Sequence, residues 1–387
     1  MLEQAFQGTK RYWTLVGFWV LVIVAGTAAF SHQLIKGLTV TGMSRDVAWG
    51  LYISQFTFLV GVAASAVMVV LPYYLHNYKK FGRMVILGEF LAVSAVVMCA
   101  LFIFVDLGQP RRVLNVLLYP TLNSVMFWDS VVLMGYLVLN LVIGFVTFDA
   151  ERKGAPPSTW IKPLIYLSIP WAISIHTVTA FLYSGLAARP FWMTAILAPR
   201  FLASAFASGP SLLIILALIL RKYTRFDPGK EAIQKLGTIV AYAMVVNLFF
   251  VLVELFTALY SDLPHHMHHF EYLFMGLHGK STLAPWMWVS GLLTVAAVVL
   301  LVIPKVRKQE NLLAIICLAV IVSIWIEKGM GLIVTGFIPS PLGGITEYTP
   351  TGPEITITIG VYGIGFLILT LLYKIVVSVR EKTEQIR

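Results

Sequence analysis

Residues 171–181, WAISIHTVTAF, lie inside an apolar segment, residues 163–188, that holds no Asp, Glu, Lys or Arg and a single histidine, His176. A run of this length is long enough to cross the hydrocarbon core of a bilayer, so we predict a transmembrane helix over about residues 161–187. Placing an ionisable ring at that depth costs free energy unless the ring is hydrogen-bonded, and such residues commonly have a function. The segment therefore predicts a membrane fold and makes its histidine a candidate functional residue.

The rest of the chain repeats this apolar pattern. Of its 387 residues, 59% are hydrophobic and 12% are charged, and the mean hydropathy is +0.85. A soluble domain is typically about 25% charged, which excludes a large soluble protein. We predict an all-α polytopic membrane protein with about ten transmembrane helices in bundles, forming a single integral membrane domain over residues 1–387. The predicted helices cover about residues 13–35, 47–75, 84–105, 124–148, 161–187, 201–221, 236–260, 284–304, 311–335 and 357–379.

The basic residues predict the orientation in the membrane. If the N-terminus is cytoplasmic, 20 of the 28 lysines and arginines fall on the cytoplasmic side, which favours both termini inside and an even number of spans. The net charge of +10 is thus explained by loops rather than by nucleic-acid binding. Lys10 and Arg11 precede the first apolar run, which we expect to be a transmembrane helix and not a signal peptide.

The cysteines and histidines limit the cofactors that the chain can hold. Cys99 and Cys317 are far apart within apolar segments, so we expect neither a disulfide nor an iron–sulfur cluster bound by this chain. Embedded haem b needs paired axial histidines, but His176 alone lies deep in a predicted span, which disfavours haem. The segment LPHHMHHFEY, 263–272, carries four histidines in a predicted loop; metal binding there is open, and we assign no metal ligands.

Ionisable residues recur in the predicted spans, mostly toward the outer face. Asp106 closes the third helix in VDLGQPRR, 105–112, where it can pair with the arginines or accept protons from a cavity. Glu327 and Lys328 are adjacent and point about 100° apart, so we expect them to contact different neighbours. Glu89 is expected at the inner interface. Each charge can also be an interhelical pair that fixes packing, but several polar residues together suggest a shared polar cavity. The other polar residues are Asp129, Asn247 and Glu254.

His176 shares a helix face with Thr179 and Tyr183. It can bond to the backbone of a neighbouring helix, donate to a ligand headgroup or relay protons, because imidazole titrates near neutral pH. Tyr52, in WGLYISQFTFLVGVAASA at 49–66, is a further ligand candidate. The small residues in that run are expected to let a second helix approach closely.

Four motifs in order along residues 47–220 resemble the NrfD-type membrane subunits, the family of the polysulfide reductase membrane subunit. They are WGLYISQFTFLVGVAASA, DLGQPRR, SIPWAISIHTVTAF and RPFWMTAILAPRFLASAFASGPS. The ten-span length and the block between helices 5 and 6 are most similar to DsrP, from the Dsr complex associated with sulfite reduction.

The resemblance implies a non-autonomous subunit of a quinone-dependent oxidoreductase in the cell membrane, without a redox cofactor of its own. Such a subunit exchanges electrons between menaquinone and a ferredoxin-like iron–sulfur subunit on the outer face, with a link to sulfur or sulfite metabolism. A DsrP-like complex would include a DsrO-like iron–sulfur protein, a DsrJ-like cytochrome c, a DsrM-like haem b membrane subunit and a DsrK-like iron–sulfur subunit.

Site roles follow from the resemblance and from the polar positions together. The quinone-binding candidates are His176, Tyr52, Asp106, Tyr183 and Arg112. The proton-transfer candidates are Asp106, Asp129, Glu254, Glu327 and Lys328. Two other functions stay open: a proton or ion transporter that uses the last three residues, and a haem-binding membrane anchor. A mixed function, in which electron transfer drives proton translocation, is open as well.

Overall fold

The computed structural model describes residues 2–386, without the side chains of residues 2, 265 and 382–386. In that part of the chain ten helices are long and apolar enough to span a membrane, which confirms the predicted all-α, ten-helix architecture. Arg387, which entered the charge comparison, lies outside the described residues. We number the helices α1 to α10: Lys10–Lys36, Leu51–Tyr74, Gly82–Asp106, Val125–Arg152, Ile161–Ser184, Leu197–Tyr223, Lys230–Tyr260, Ala284–Val302, Glu310–Thr335 and Gly352–Ile386.

Consecutive helices cross the helical layer in opposite directions, so the loops between them alternate between its two faces. The loops 75–81, 153–160, 224–229 and 303–309 lie at the face that also holds both chain ends, which we name the terminal face. The loops 37–50, 107–124, 185–196, 261–283 and 336–351 lie at the other side, which we name the opposite face. Most candidate site residues are closer to the opposite face.

Two four-helix groups form the centre of the molecule. Helices α2 to α5 pack against one another, as do α6 to α9, and α2 joins the two groups by packing against α6 and α9. Helices α1 and α10 pair with each other, and α10 also packs along α3. A Cβ added to Gly26 of α1 would lie 2.5 Å from the Cα of Gly360 on α10, so two glycines permit this close crossing.

Three stretches depart from the regular helices that hydropathy predicts. A 3₁₀ turn, Ala64–Ala66, interrupts α2. A π-helix, Trp325–Gly331, interrupts α9 and carries Glu327 and Lys328; π segments recur at functional sites. The histidine-rich segment, predicted as a loop, is helical over Pro264–Phe274, with proline in the first turn, where its missing N–H is tolerated.

Candidate functional site

His176 is fully buried in α5, and neither ring nitrogen has a hydrogen-bond partner among the described residues. It lies eight residues before Ser184, the last residue of α5, or about 12 Å along the helix from the opposite face. Leaving a buried polar group unbonded costs about 1–3 kcal/mol. A ligand or an internal water molecule that bonds to the ring would remove this cost.

Two hydrogen-bonded pairs continue the polar face of α5 toward the opposite face. Thr179 Oγ1 donates to Asp129 Oδ1 of α4 at 2.6 Å. The Tyr183 hydroxyl and Thr57 Oγ1 of α2 are 2.6 Å apart, and Tyr183 is the donor because the Thr57 hydroxyl donates to the Ile53 carbonyl. The predicted stripe therefore meets polar groups from α2 and α4.

Tyr52 and Asp106 belong to a second polar group, between α1, α2, α3 and α10. The Tyr52 hydroxyl donates to Gln33 Oε1 at 2.7 Å, and Gln33 Nε2 donates to the carbonyl of Val105, next to Asp106. Asp106 Oδ1 is buried without a partner among the described residues. Gln33 was not predicted: a single glutamine near a helix end gives no signal in the sequence.

A third carboxyl lies close to Tyr52 and Asp106. Glu354 of α10 is within electrostatic range of both residues and is fully buried. It accepts hydrogen bonds of 2.7 Å from the Tyr348 hydroxyl and from the Gly42 amide. Burial is the main cause that raises the pKa of Tyr348 above its usual value, with Glu354 adding to the effect.

Arg112 is not part of either polar group. Its side chain is exposed in the loop 107–124, as is that of Arg111. The structure gives no ion pair between these arginines and Asp106 among the described residues. Arg112 therefore lies on the surface of the opposite face rather than at a buried site.

An aromatic cavity of about 390 Å³ opens at the opposite face beside Tyr183. Its lining includes Trp49, Gly185, Arg189 and Phe337. The Trp49 ring lies 5.8 Å from the Tyr183 ring, edge to face, so the cavity adjoins the polar face of α5.

One arginine of the cavity wall has an unused donor. The Arg189 guanidinium lies 4.3 Å from the centre of the Phe337 ring, and its Nη1 is buried without a partner among the described residues. Desolvation lowers the pKa of Arg189, and the charge of Asp46 opposes this shift. Arg189 was not predicted as a site residue.

Four charges meet inside the second helical group. Arg200 of α6 donates to Glu327 Oε1 through Nη2 at 2.5 Å and Nε at 3.1 Å, and it also contacts Glu254 of α7. Lys328 instead lies 3.4 Å from the Phe201 carbonyl and 4.3 Å from the centre of its ring. The expectation that Glu327 and Lys328 contact different neighbours is confirmed.

The charged group approaches the polar face of α5 across α2. A Cβ added to Gly61 of α2 would lie 3.3 Å from Lys328 Nζ and 3.4 Å from Ser208 Oγ. The absence of a side chain at Gly61 therefore lets these two polar groups lie close to α2. Lys328 is also within electrostatic range of His176. Lys328 and His176 are therefore close enough to influence each other, although they belong to different helical groups.

Two sequence expectations about single residues are corrected. Glu89 is not interfacial: it is 1% exposed, and neither carboxylate oxygen has a partner among the described residues. His269 is not an exposed loop histidine but is buried, with Nδ1 2.7 Å from the Ile338 carbonyl and 3.0 Å from the Thr335 carbonyl. In the described part of the chain, no group of three or more His, Cys, Asp or Glu residues is arranged to hold a metal ion.

Comparison with known proteins identifies the family. Residues 39–338 match the family model described as polysulphide reductase, NrfD. The chain belongs to the NrfD family.

Subunits of several reductases and of an oxidoreductase are similar to this chain over most or part of its length. A putative dimethyl sulfoxide reductase membrane subunit of Halobacterium salinarum is 27% identical over 94% of this chain and 91% of its own length. A selenate reductase subunit of Mesobacillus selenatarsenatis is 22% identical over 97% of this chain and 96% of its own length. The Hdr-like menaquinol oxidoreductase integral membrane subunit of Archaeoglobus fulgidus is 23% identical over 61% of this chain and 58% of its own length. These matches confirm the resemblance to the NrfD family.

Proposed function

We propose that the chain is the membrane subunit of a respiratory redox complex and exchanges electrons between menaquinone and an iron–sulfur partner at the opposite face. The observation that carries the proposal is His176, a fully buried imidazole whose two nitrogens lack partners in the described structure. Family membership and the names of the relatives, which include reductase subunits and a menaquinol oxidoreductase subunit, support it.

The polar face of α5 is suited to a quinone headgroup. A quinone carbonyl accepts hydrogen bonds, and His176 and Tyr183 are donors on that face. Tyr183 would release Thr57 to bond to the ligand, whereas His176 has no bond to give up. The aromatic cavity beside Trp49 gives the flat ring a route toward the opposite face. Tyr52 and Asp106 form a second polar group nearby, which we propose supports the site from α2 and α3.

Quinone reduction consumes two protons, and we propose that Asp129 and Asp106 deliver them to the quinone. Asp129 is bonded to Thr179, one turn from His176. Glu254 and Glu327 both contact Arg200, so proton transfer through either carboxylate requires the guanidinium to move. Because both glutamates are paired with Arg200, we propose an electrostatic role for them rather than proton transfer. Lys328 is then the remaining charged residue of this group that can respond to quinone reduction.

The finer assignment follows the DsrP resemblance. In that assignment the opposite face is the outer face of the cell membrane, and a DsrO-like iron–sulfur protein docks there with a DsrJ-like cytochrome c. DsrM-like and DsrK-like proteins complete the complex, and the partners hold the haem and iron–sulfur groups. The exposed Arg111 and Arg112 lie on the surface that such a partner would cover.

The test replaces His176 with leucine in the complex purified with its partner subunits. We expect His176→Leu to lower quinol-dependent turnover at least tenfold and to weaken menaquinone binding, while the complex still assembles. The matched control is Thr177→Val, because Thr177 is adjacent on α5 and, among the described residues, its hydroxyl bonds only to the carbonyl of Ile173 on the same helix. Wild-type turnover in His176→Leu would remove His176 from the quinone site.

A further inference from the structure

Glu89 of α3 is a buried carboxyl that the proposed quinone site does not use. It lies seven residues after Gly82, the first residue of α3, or about 10 Å from the terminal face. One of its oxygens would lie 3.4 Å from a Cβ built on Gly144 of α4, so it occupies the gap that this glycine leaves between the two helices. An acid without a partner at this depth is expensive and is commonly functional.

A cavity of about 790 Å³ with several charged residues in its wall opens at the terminal face below Glu89, and we name it the vestibule. Its walls include Tyr74, Val85, Thr147 and Glu151. Val85 lies one helical turn before Glu89 on α3, or about 6 Å along the axis. Tyr74 is within electrostatic range of Glu89, which places the carboxyl close to the vestibule. Water in the vestibule is therefore about one turn from the acid.

Polar residues recur along the face of α4 that meets Glu89, and Leu133 lies on the same face between Tyr136 and Asp129. Thr147 lines the vestibule, Gly144 contacts Glu89, and Asn140, Tyr136 and Asp129 follow at intervals of four, four and seven residues. These spacings keep all five positions on one side of the helix. The four side chains with polar groups are at most 7% exposed. From Gly144 to Asp129 the distance along the axis is about 22 Å.

We propose that Glu89 takes protons from the vestibule and passes them along this face of α4 to Asp129. The proposal rests on the proposed function, because Asp129 adjoins the quinone site through Thr179. Asn140 donates its amide nitrogen to the Tyr136 carbonyl at 2.8 Å, which leaves its amide oxygen as an acceptor on the route. The route requires internal water between these groups, including past Leu133 between Tyr136 and Asp129.

The chemistry balances for either direction of electron flow. Reduction of one quinone takes two electrons from the reduced iron–sulfur partner and two protons from water in the vestibule. Each proton binds to the Glu89 carboxylate, moves to Asp129 and ends on a quinone oxygen, which gives the quinol. Oxidation of the quinol reverses every step. Electrons enter at the opposite face and protons at the terminal face, so turnover moves charge across the membrane.

The experiment uses the whole complex in proteoliposomes that contain menaquinone and trapped pyranine. Titanium(III) citrate, an impermeant reductant, is added outside, so only complexes with the opposite face outward are reduced. In the wild type we expect quinone reduction with alkalinisation of the lumen by about one proton per electron. Glu89→Gln should abolish the lumenal signal and slow quinone reduction at least tenfold, with partner subunits and bound menaquinone retained. Asp149→Asn, at the terminal end of α4 and ion-paired with Arg152 and Lys153, is the matched control and should behave as wild type.

Any of four outcomes would overturn the proposal. Wild-type lumenal alkalinisation in Glu89→Gln would remove Glu89 from the route. Quinone reduction in the wild type without a lumenal signal would show that protons come from the opposite face, and would leave the proposed function intact. Absence of quinone reduction in the wild type would overturn both. If Glu89→Gln does not assemble, Asn140→Leu interrupts the same face of α4, and a full lumenal signal in that variant would contradict the route.

Discussion

Two buried histidines, His176 and His269, differ in how their rings are bonded. His269 has both neighbouring carbonyls, those of Thr335 and Ile338, as acceptors for its Nδ1–H, and its ring packs 5.1 Å from that of Phe191. His176 has no bond to either nitrogen among the described residues. Burial alone therefore does not distinguish the two rings. The missing hydrogen bonds do, because they represent binding capacity that the fold leaves unused.

The bonding of His269 predicts how stability depends on pH. Burial, with smaller contributions from His266 and His268, lowers the pKa of His269 to about 4, although its two carbonyl partners oppose the shift. An unfolded histidine titrates near about 6.5. The unfolded state thus binds the proton first, so the free energy of unfolding is highest above about pH 6.5 and falls as the pH drops toward 4.

We expect the thermal unfolding midpoint to decrease as the pH is lowered from about 7 to about 4.5. His269 should account for a loss of up to about 3 kcal/mol in the free energy of unfolding. His269→Gln should be less stable at pH 7 and should show a weaker dependence on pH. The exposed His32→Gln should keep the wild-type dependence. Equal slopes for wild type and His269→Gln, measured by thermal unfolding in detergent, would contradict the assignment.

At the scale of helices, hydropathy predicts the spans well and their irregularities poorly. An apolar window reports only that a stretch can lie in lipid, and all ten predicted spans overlap an observed helix. It does not distinguish a π turn from an α turn, so the π-helix Trp325–Gly331 gave no signal. The helix Pro264–Phe274 was missed because its histidines are polar, whereas tertiary bonds such as those of His269 hold it in place.

The start of α6 shows why part of the charged group could not be predicted. The predicted helix begins at 201, which leaves Arg200 just outside it. The observed helix begins at Leu197, so Arg200 lies within the first turn and faces α7 and α9. Helix boundaries are the least reliable part of a prediction, and here four residues decide whether a charge is solvated or buried.

Arg200 connects three helices, and its removal should destabilise them together. Arg200→Met would leave Glu254 and Glu327 buried without their cation, and breaking a buried pair costs about 3–5 kcal/mol. We expect a lower midpoint of thermal unfolding in detergent. Adding Glu254→Gln and Glu327→Gln to this variant should recover much of the loss, because neither carboxylate is then left charged without its cation.

An exposed pair provides the comparison for Arg200. Lys80 and Glu231 form an ion pair with side chains that are 56% and 64% exposed. Lys80→Ala should change stability by less than about 1 kcal/mol. An equally small effect of Arg200→Met would show that the buried charges find other partners.

At the scale of the whole molecule, the two faces have different compositions. The polar groups of His176 and Asp106 and the aromatic cavity lie toward the opposite face, whereas the vestibule and most basic residues lie at the terminal face. The charge asymmetry was visible in the sequence, since loops can be counted without coordinates. The convergence of α2, α4 and α5 on one site was not, because it depends on helix rotation and packing.

The charge asymmetry predicts which face is cytoplasmic. With 20 of 28 lysines and arginines on its side, the terminal face should lie inside the cell. Leu342 is 96% exposed in a loop of the opposite face, and Ser158 is exposed in a loop of the terminal face. In intact cells that express the chain alone, a membrane-impermeant maleimide should label Leu342→Cys, and should label Ser158→Cys only after permeabilisation. Cys99 and Cys317 are buried, so the unmodified chain is the control and should not be labelled. The reverse pattern would place the proposed quinone site toward the cytoplasm and would require the electron-donating partner to dock from inside.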